Sequence, residues 1–386
     1  MDKKLLYILL PGSHIFGQEK ALITLACTLK ESGIKIHFLI HEGWGSNIGE
    51  YLDSLNLTSS KLPMGTIWSL SMAVKQPSIL WKNSIGVIKS SLRFYNLMKR
   101  EKCSYFLTGN ATFTFYILPA LLLCKIPVIY RHGDDLTSHS LFHKILNKIL
   151  FNRVNKNIVN CNYLKNLLEK KGIVKNSTII YNLTTNYKDI NKNQNCHKNL
   201  KNEFNILFIG QFSKHKGLNE LFDAFNGIKS IYPFTYLHIA GEFPGVGIPR
   251  DEQLEKRIND MVSENKNRIV LHGRVSNPGY LYKIANLHIC PSIYQEPSAN
   301  VVMEAKSYGV PSIIFNVGGM PEIIENYIDG YICKEVSTES LIEGMKYYLK
   351  DSNRIISSSK AASINYEKKY NEKIFSEAWL KVFENI

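Results

Sequence analysis

The chain changes its hydrophobic period in the same way in each half. Leu5 to Leu10 is a continuous apolar run, and after Pro-Gly-Ser-His-Ile-Phe-Gly17 the stretch from Glu19 to Glu31 carries apolar residues at 21, 22, 25, 26 and 29. A buried strand followed by an amphipathic helix accounts for that switch. Lys35 to His41 supplies a second strand and completes a βαβ unit. The pattern restarts with a strand at Asn205 to Gly210, a helix at Gly217 to Lys229 and a strand at Thr235 to Gly241. Strands alternating with helices build parallel sheets covered on both faces, so the fold class is α/β and doubly wound, once in each half. A chain of 386 residues also exceeds the size at which one core stops growing.

In the first half, further strands are expected at 105–107, 127–130, 156–160 and 177–180, with helices at 141–154 and 162–171. In the second half, helices are expected at 253–265, 278–286, 299–308 and 320–327, with strands at 268–272, 288–290 and 311–315. These elements divide the chain into domains 1–190 and 203–350, an asparagine-rich linker at 191–202, and C-terminal helices over 351–386. The net charge of +14 is concentrated at the front, where residues 1–190 hold 24 basic against 11 acidic side chains. Such a field attracts an anionic membrane surface or a phosphorylated substrate. The basic residues are scattered, without zinc-finger spacing or a recognisable single-strand module, which argues against nucleic acid. Seven cysteines without a CxxC pair read as free thiols in a reducing, cytoplasmic setting. The run Phe113 to Cys124 contains Pro119 and is too short to span a bilayer, so membrane association would be peripheral, at the inner face.

Several polar residues fall where such sheets bind ligands, at strand ends. Glu296 and Glu304 stand eight positions apart across an apolar turn in Tyr294-Gln-Glu-Pro-Ser-Ala-Asn-Val-Val-Met-Glu304. With Glu296 closing a loop and Glu304 two turns into a helix, both carboxylates can grip hydroxyls of one ligand. Acids near a helix start are also common as caps. Gly210-Gln-Phe-Ser-Lys-His-Lys-Gly217 joins a strand to a helix, and helix-start amides with Lys216 would make an anion site for a diphosphate. The plain alternative is a strand-to-helix turn with a solvated lysine. Gly17, followed by Glu19, offers a close backbone approach in the first domain; a first-turn acid explains Glu19 equally. His132, after Arg131, sits at the end of a strand and can bond a sugar hydroxyl, or serve as a structural histidine. Gly318-Gly-Met-Pro-Glu322 follows the strand 311–315, and its glycines allow close ligand approach.

Together these residues resemble the family 4 retaining glycosyltransferases, of GT-B type, with the likeness strongest from Phe208 to Ile332. The resemblance implies two facing Rossmann-like domains with parallel sheets and an interdomain cleft, and a C-terminal helix returning to the first domain. It implies that Glu296 contacts the transferred sugar, Glu304 the ribose, and Asn300 and Val301 the sugar or phosphates. It also implies that Lys216 stabilises the departing diphosphate and that His132 lies near the anomeric carbon. Two positions depart from the family pattern. Gln211 stands where an arginine usually follows Gly210, and Phe16-Gly17 replaces a double glycine. Glutamine donates hydrogen bonds but carries no charge, which leaves more to Lys216 and to Arg274, beside Val275 in His272-Gly-Arg-Val275.

The implied reaction moves a hexose or derivative from a UDP- or GDP-sugar to a hydroxyl of an acceptor glycan, with retention and without a metal or other cofactor. Relatives of this kind extend polyprenyl-diphosphate-linked oligosaccharides for bacterial surface polysaccharides, lipopolysaccharide and capsule among them. Trp68, Leu70, Met72 and Trp81, interspersed with lysines, would suit a membrane-facing rim, although a core helix gives the same pattern. Two alternatives stay open: a catalytically inactive nucleotide-sugar-binding protein, suggested by Gln211, and a glucan synthase or phosphorylase-like enzyme of the same architecture.

Overall fold

The computed structural model describes residues 4–10, 12, 15, 17–43, 47–65, 77–136, 141–184, 203–244 and 250–386. The segment 191–202 read as a linker, and Trp68, Leu70 and Met72, lie outside the described residues. The chain divides into two compact units, Met1–Leu183 with Glu372–Ile386, and Thr184–Asn371.

Unit 1 runs β1 (Leu5–Leu10), α1 (Gly17–Glu31), β2 (Lys35–His41), α2 (Asn47–Ser54), β3 (Thr58–Leu62), α3 (Pro77–Arg100), β4 (Tyr105–Thr108), α4 (Ala111–Thr114), α5 (Leu118–Leu123), β5 (Val128–His132), α6 (Leu141–Arg153), β6 (Lys156–Val159), α7 (Asn162–Lys170) and β7 (Ser177–Ile179). Unit 2 continues with β8 (Phe204–Ile209), α8 (Leu218–Lys229), β9 (Thr235–Ala240), α9 (Glu252–Glu264), β10 (Ile269–Gly273), α10 (Gly279–Ile284), β11 (Leu287–Cys290), α11 (Asn300–Ser307), β12 (Ser312–Phe315), β13 (Gly330–Cys333), α12 (Thr338–Leu349) and α13 (Ser352–Lys369). The last helix, α14 (Glu372–Glu384), belongs to unit 1.

All strands pair in parallel, in the orders β3-β2-β1-β4-β5-β6-β7 and β10-β9-β8-β11-β12-β13. Each order reverses once, at β1/β4 and at β8/β11, and such switch points open a crevice at the carboxyl ends of the strands. Burial on both faces explains the unbroken apolar runs. In β1, Leu6, Ile8 and Leu10 face one core while Tyr7 and Leu9 face the other.

The first of these cores includes Leu25 and Leu29 of α1 together with Trp379 and Phe383 of α14. The Tyr105 hydroxyl donates to the Phe383 carbonyl at 2.8 Å, tying α14 to β4. The second core takes Phe94 and Met98 from α3, Leu121 from α5 and Leu150 from α6. Most of the apolar run Phe113 to Cys124 is therefore core, with Leu122 and Leu123 exposed at its end, and it is split between α4 and α5. Asn110 caps α4, accepting from the Phe113 N–H at 3.1 Å, and Pro119 lies in the first turn of α5, where no N–H is needed. No helix among the described residues is long and apolar enough to cross a membrane.

The helix expected at 320–327 is instead one 3-10 turn, Met320–Glu322, and strand β13 follows it. Side chains direct the chain away from helix here. Asp329 accepts from the Glu325 N–H at 2.9 Å, Asn326 accepts from the Ile332 N–H at 2.9 Å, and Tyr327 adopts φ +64°. Asp329 also takes part in a buried ion pair: Lys306 Nζ lies 2.5 Å from its carboxylate, with the side chains 2% and 0% exposed. Asn365 of α13 donates to the same oxygen at 2.5 Å. One aspartate thus joins α11, the turn before β13 and α13.

Two buried strand histidines, His132 and His288, give the fold an acid limit. Burial pulls His132 down to about 4 and His288 down to about 3, so both are neutral in the folded protein at pH 7. The unfolded chain binds protons as pH falls below the ordinary imidazole value of about 6.5, while the folded chain resists them. Stability is therefore complete above pH 6.5 and lost progressively toward pH 4. At pH 5 each histidine is expected to remove about 2 kcal/mol. Urea midpoints at pH 7 and pH 5 check this, and equal midpoints would contradict it.

Candidate active site

Three adjacent strands of unit 2, β8, β11 and β12, end beside its switch point, and the loops after them meet. The loop after β8 makes a 3-10 turn, Lys214–Lys216, and passes through Gly217 at φ +68° into α8. A Cβ on Gly217 would stand 1.9 Å from the Pro291 carbonyl oxygen, so the close approach of these two loops requires glycine. The His215 carbonyl accepts from the Ile293 N–H at 2.9 Å, fixing that approach.

This contact brings Lys216 to Glu296, and the ammonium donates to Oε1 in a charge-assisted bond. The Ser292 hydroxyl, 3.1 Å from the His215 carbonyl, lies 2.6 Å from the same carboxylate oxygen. Ser292 was not legible as a site residue, because its role depends on a loop fold that brings positions 292 and 296 to one point.

The loop after β12 closes on the other side. Gly319 N–H donates to the Glu296 carbonyl at 2.8 Å, and Gly318 N–H donates to Gln295 Oε1 at 2.8 Å. Gly318 has φ +59°, and a Cβ there would lie 2.1 Å from the Glu296 carbonyl oxygen. The glycines of Gly318-Gly-Met-Pro-Glu322 thus have a structural task in holding the Glu296 loop.

Glu304 lies in the middle of α11 and is 4% exposed. Its Oε2 accepts from the Tyr282 hydroxyl at 2.9 Å, and Tyr282 is stacked on Tyr308 at 5.3 Å. Tyr282 is a second residue the sequence did not single out. It reaches Glu304 from α10, 22 positions away, at a separation no local motif spans. Asn300 and Val301 form the first turn of α11, whose N-cap Ala299 provides no side-chain cap. Helix-start amides are suited to an anion.

Gly210 and Gln211 follow β8 and are half-buried. Arg274, after β10, is half-exposed and pairs with Glu242 at 3.0 Å, so its charge is partly answered within the protein. Val275 packs at the edge of the core around Leu207 and Leu281. Burial, and secondarily the Glu296 carboxylate, push the Cys290 thiol beneath this loop up to about 12, which keeps it protonated.

The first-domain candidates occupy the corresponding end of unit 1. Gly17 begins α1, and the neighbouring Gln18 side chain donates to the Gly109 carbonyl, after β4, at 2.6 Å. A Cβ on Gly12 would come within 2.5 Å of Glu19 Oε1, so Gly12 lies close to that acid. His132 ends β5 and is 1% exposed, with its ring 4.5 Å from that of Tyr130. Its Nε2–H donates to Asn157 Oδ1 at 2.9 Å, while Nδ1 is buried without a protein partner among the described residues. Arg131, also buried, donates to Asn182 Oδ1 and is drawn down to about 10 by burial. Among the described residues no group of three or more His, Cys, Asp or Glu side chains is arranged to hold a metal ion.

Residues 189–369 match the family model described as Glycosyl transferases group 1. Spore coat protein SA of Bacillus subtilis is 29% identical over 185 residues, 47% of this chain and 47% of that protein. The lipopolysaccharide 1,2-N-acetylglucosaminetransferase of Salmonella typhimurium is 26% identical over 186 residues, 45% of this chain and 49% of that protein. The chain spans about half the length of the curated relatives it matches. Likeness to solved structures extends further. A glycosyltransferase from Rickettsia africae covers 100% of this chain and 99% of its own at TM-score 0.80 and 18% identity. Anabaena Alr3699/HepE, solved with UDP and glucose, covers 100% of both chains at TM-score 0.77 and 16% identity. These neighbours have the GT-B fold expected from the sequence, and the likeness embraces both Rossmann-like units.

Proposed function

We propose, from the match of residues 189–369 to the family model described as Glycosyl transferases group 1, that this chain is a retaining glycosyltransferase using a nucleoside-diphosphate sugar. The observation that carries the proposal is the convergence of Lys216, Ser292 and Glu296 at the switch point, beside α11 with Glu304. In this reading the diphosphate lies against Lys216 and the α11 amides. It competes with Glu296 for the ammonium, which frees that carboxylate to accept hydroxyls of the sugar. Glu304, oriented by Tyr282, holds the ribose. His132, whose Nδ1 has no protein partner among the described residues, is the candidate sugar contact contributed by the first half of the chain.

An acceptor hydroxyl attacks the anomeric carbon on the face from which the diphosphate departs. The carbon–oxygen bond to the diphosphate breaks, the bond to the acceptor oxygen forms, and the hydroxyl proton passes to the departing phosphate oxygen. Negative charge grows on the diphosphate as its bond breaks, so Lys216 acts most strongly in the transition state and no metal is required. The lipopolysaccharide N-acetylglucosaminetransferase relative and the neighbour solved with UDP and glucose support a UDP-sugar donor and a glycan acceptor in surface-polysaccharide synthesis. A lipid-diphosphate carrier for that acceptor is the further part of the proposal.

Saturation-transfer NMR against UDP-, GDP- and ADP-sugars, repeated with Lys216→Ala, tests the donor site. One donor is expected to give signal that the variant loses. Silence across the panel, or an unchanged signal in Lys216→Ala, overturns the site. The anomeric coupling constant of the product reports retention, and an inverted product removes that part of the proposal.

A further inference from the structure

Helices α3 and α6 cover the same side of the unit 1 sheet, where their inner faces share one core through Phe94, Met98 and Leu150. Their outer faces are unusual. Trp81, Ile88 and Leu92 of α3 recur at intervals of seven and four, which aligns them on one stripe opposite Phe94. All three are well exposed, Trp81 to 70%. Leu141, Ile145 and Ile149 of α6 make a second stripe at intervals of four, with Leu141 72% exposed. Between these helices α5 ends in the exposed Leu122 and Leu123, and Arg153 of α6 binds the Leu121 and Cys124 carbonyls at 3.0 and 2.7 Å. The three helices are therefore neighbours in one layer, with apolar side chains turned out of it. Exposed large apolar side chains repeated along three neighbouring helices mark an interaction surface.

The charges beside these stripes identify the partner. Lys82, Lys89 and Arg93 each follow a stripe residue of α3, and Lys144 and Lys148 precede two stripe residues of α6. Neither helix contains a single Asp or Glu. We infer that this face of unit 1 docks on an anionic lipid bilayer, with the apolar stripes entering the headgroup boundary and the flanking cations meeting lipid phosphates. A second copy of the chain is a poorer occupant, because pairing this face with itself sets like charges against one another. The inference assigns the membrane association expected from the charge distribution to one face of unit 1, and it does not depend on the transferase reading.

Flotation of the full chain with vesicles of phosphatidylcholine alone, or mixed with phosphatidylglycerol, tests this directly. Binding is expected only to the anionic vesicles and to weaken as salt rises. Lys89→Ala/Arg93→Ala is expected to lower partitioning about thirtyfold. Ile88→Ser/Leu92→Ser and Ile145→Ser/Ile149→Ser are expected to lower it at least as far. These side chains are solvent-exposed, so circular dichroism and the thermal transition should match the parent protein. Failure to bind anionic vesicles, or binding unaffected by these variants, overturns the inference. A concentration-dependent dimer that the serine variants abolish would overturn it too, by naming a second copy as the occupant. Because vesicle binding needs neither donor nor turnover, a failed donor screen and a failed flotation are separate results.

Discussion

Lys306→Met is expected to destabilise unit 2 by about 3 to 5 kcal/mol, the cost of leaving one member of a buried ion pair uncompensated. Burial holds the Lys306 ammonium below the usual lysine range even though Asp329 beside it acts to raise it. The pair is thus expensive to form and more expensive to break. Once the ammonium is gone, Asp329 remains at 0% exposure, with the Glu325 N–H and the Asn365 amide as partners of its side chain among the described residues. Urea denaturation followed by far-ultraviolet circular dichroism measures the loss. The double variant Lys306→Met/Asp329→Asn removes the stranded charge yet keeps an acceptor for the Glu325 N–H, so it should recover part of the stability. A double variant no better than Lys306→Met would show that lost packing, not the charge, sets the cost. The effect should also reach the ligand, since Lys306 lies two residues beyond Glu304 on α11.

Glu304→Ala is expected to weaken nucleoside diphosphate binding by about 2 to 4 kcal/mol, or roughly 30- to 1000-fold. Two losses combine. The ligand hydroxyls lose a charged acceptor, and the Tyr282 hydroxyl loses the partner it holds at 2.9 Å. Glu304→Gln keeps an oxygen acceptor without the charge and should fall between the parent protein and alanine. Titration calorimetry with UDP and GDP reads the difference, and unchanged affinity in Glu304→Ala would remove the residue from the donor site.

How much of this was legible depends on how local the cause is. Strands β1 and β2 were readable because a parallel strand buried on both faces writes an unbroken apolar run, and α8 because its period changes at Gly217. Strand β3, Thr-Ser-Ser-Lys-Leu, was not: it lies at the sheet edge with most side chains outside the core, so no apolar pattern marks it. Strand β13 was hidden by a segment whose composition suits a helix and whose turn is enforced by Asp329 and Asn326. At the site, the loop positions of Glu296 and Gly318 and the helical position of Glu304 followed from strand ends and helix period. Ser292, Tyr282 and the Lys306–Asp329 pair were invisible because they depend on contacts between elements, and one sequence without its fold does not record which elements meet.

Helix α14 carries a consequence for synthesis. A chain leaves the ribosome from its N-terminus, and domains generally fold in that order. Unit 1 departs from this rule, because Trp379 and Phe383 complete the core beneath α1 and cannot arrive until all of unit 2 has been made. The unit translated second therefore has its whole sequence available first. Until α14 docks, Leu25 and Leu29 lack part of their cover, so the nascent protein exposes apolar surface for as long as unit 2 is being made and is a natural client for holding chaperones.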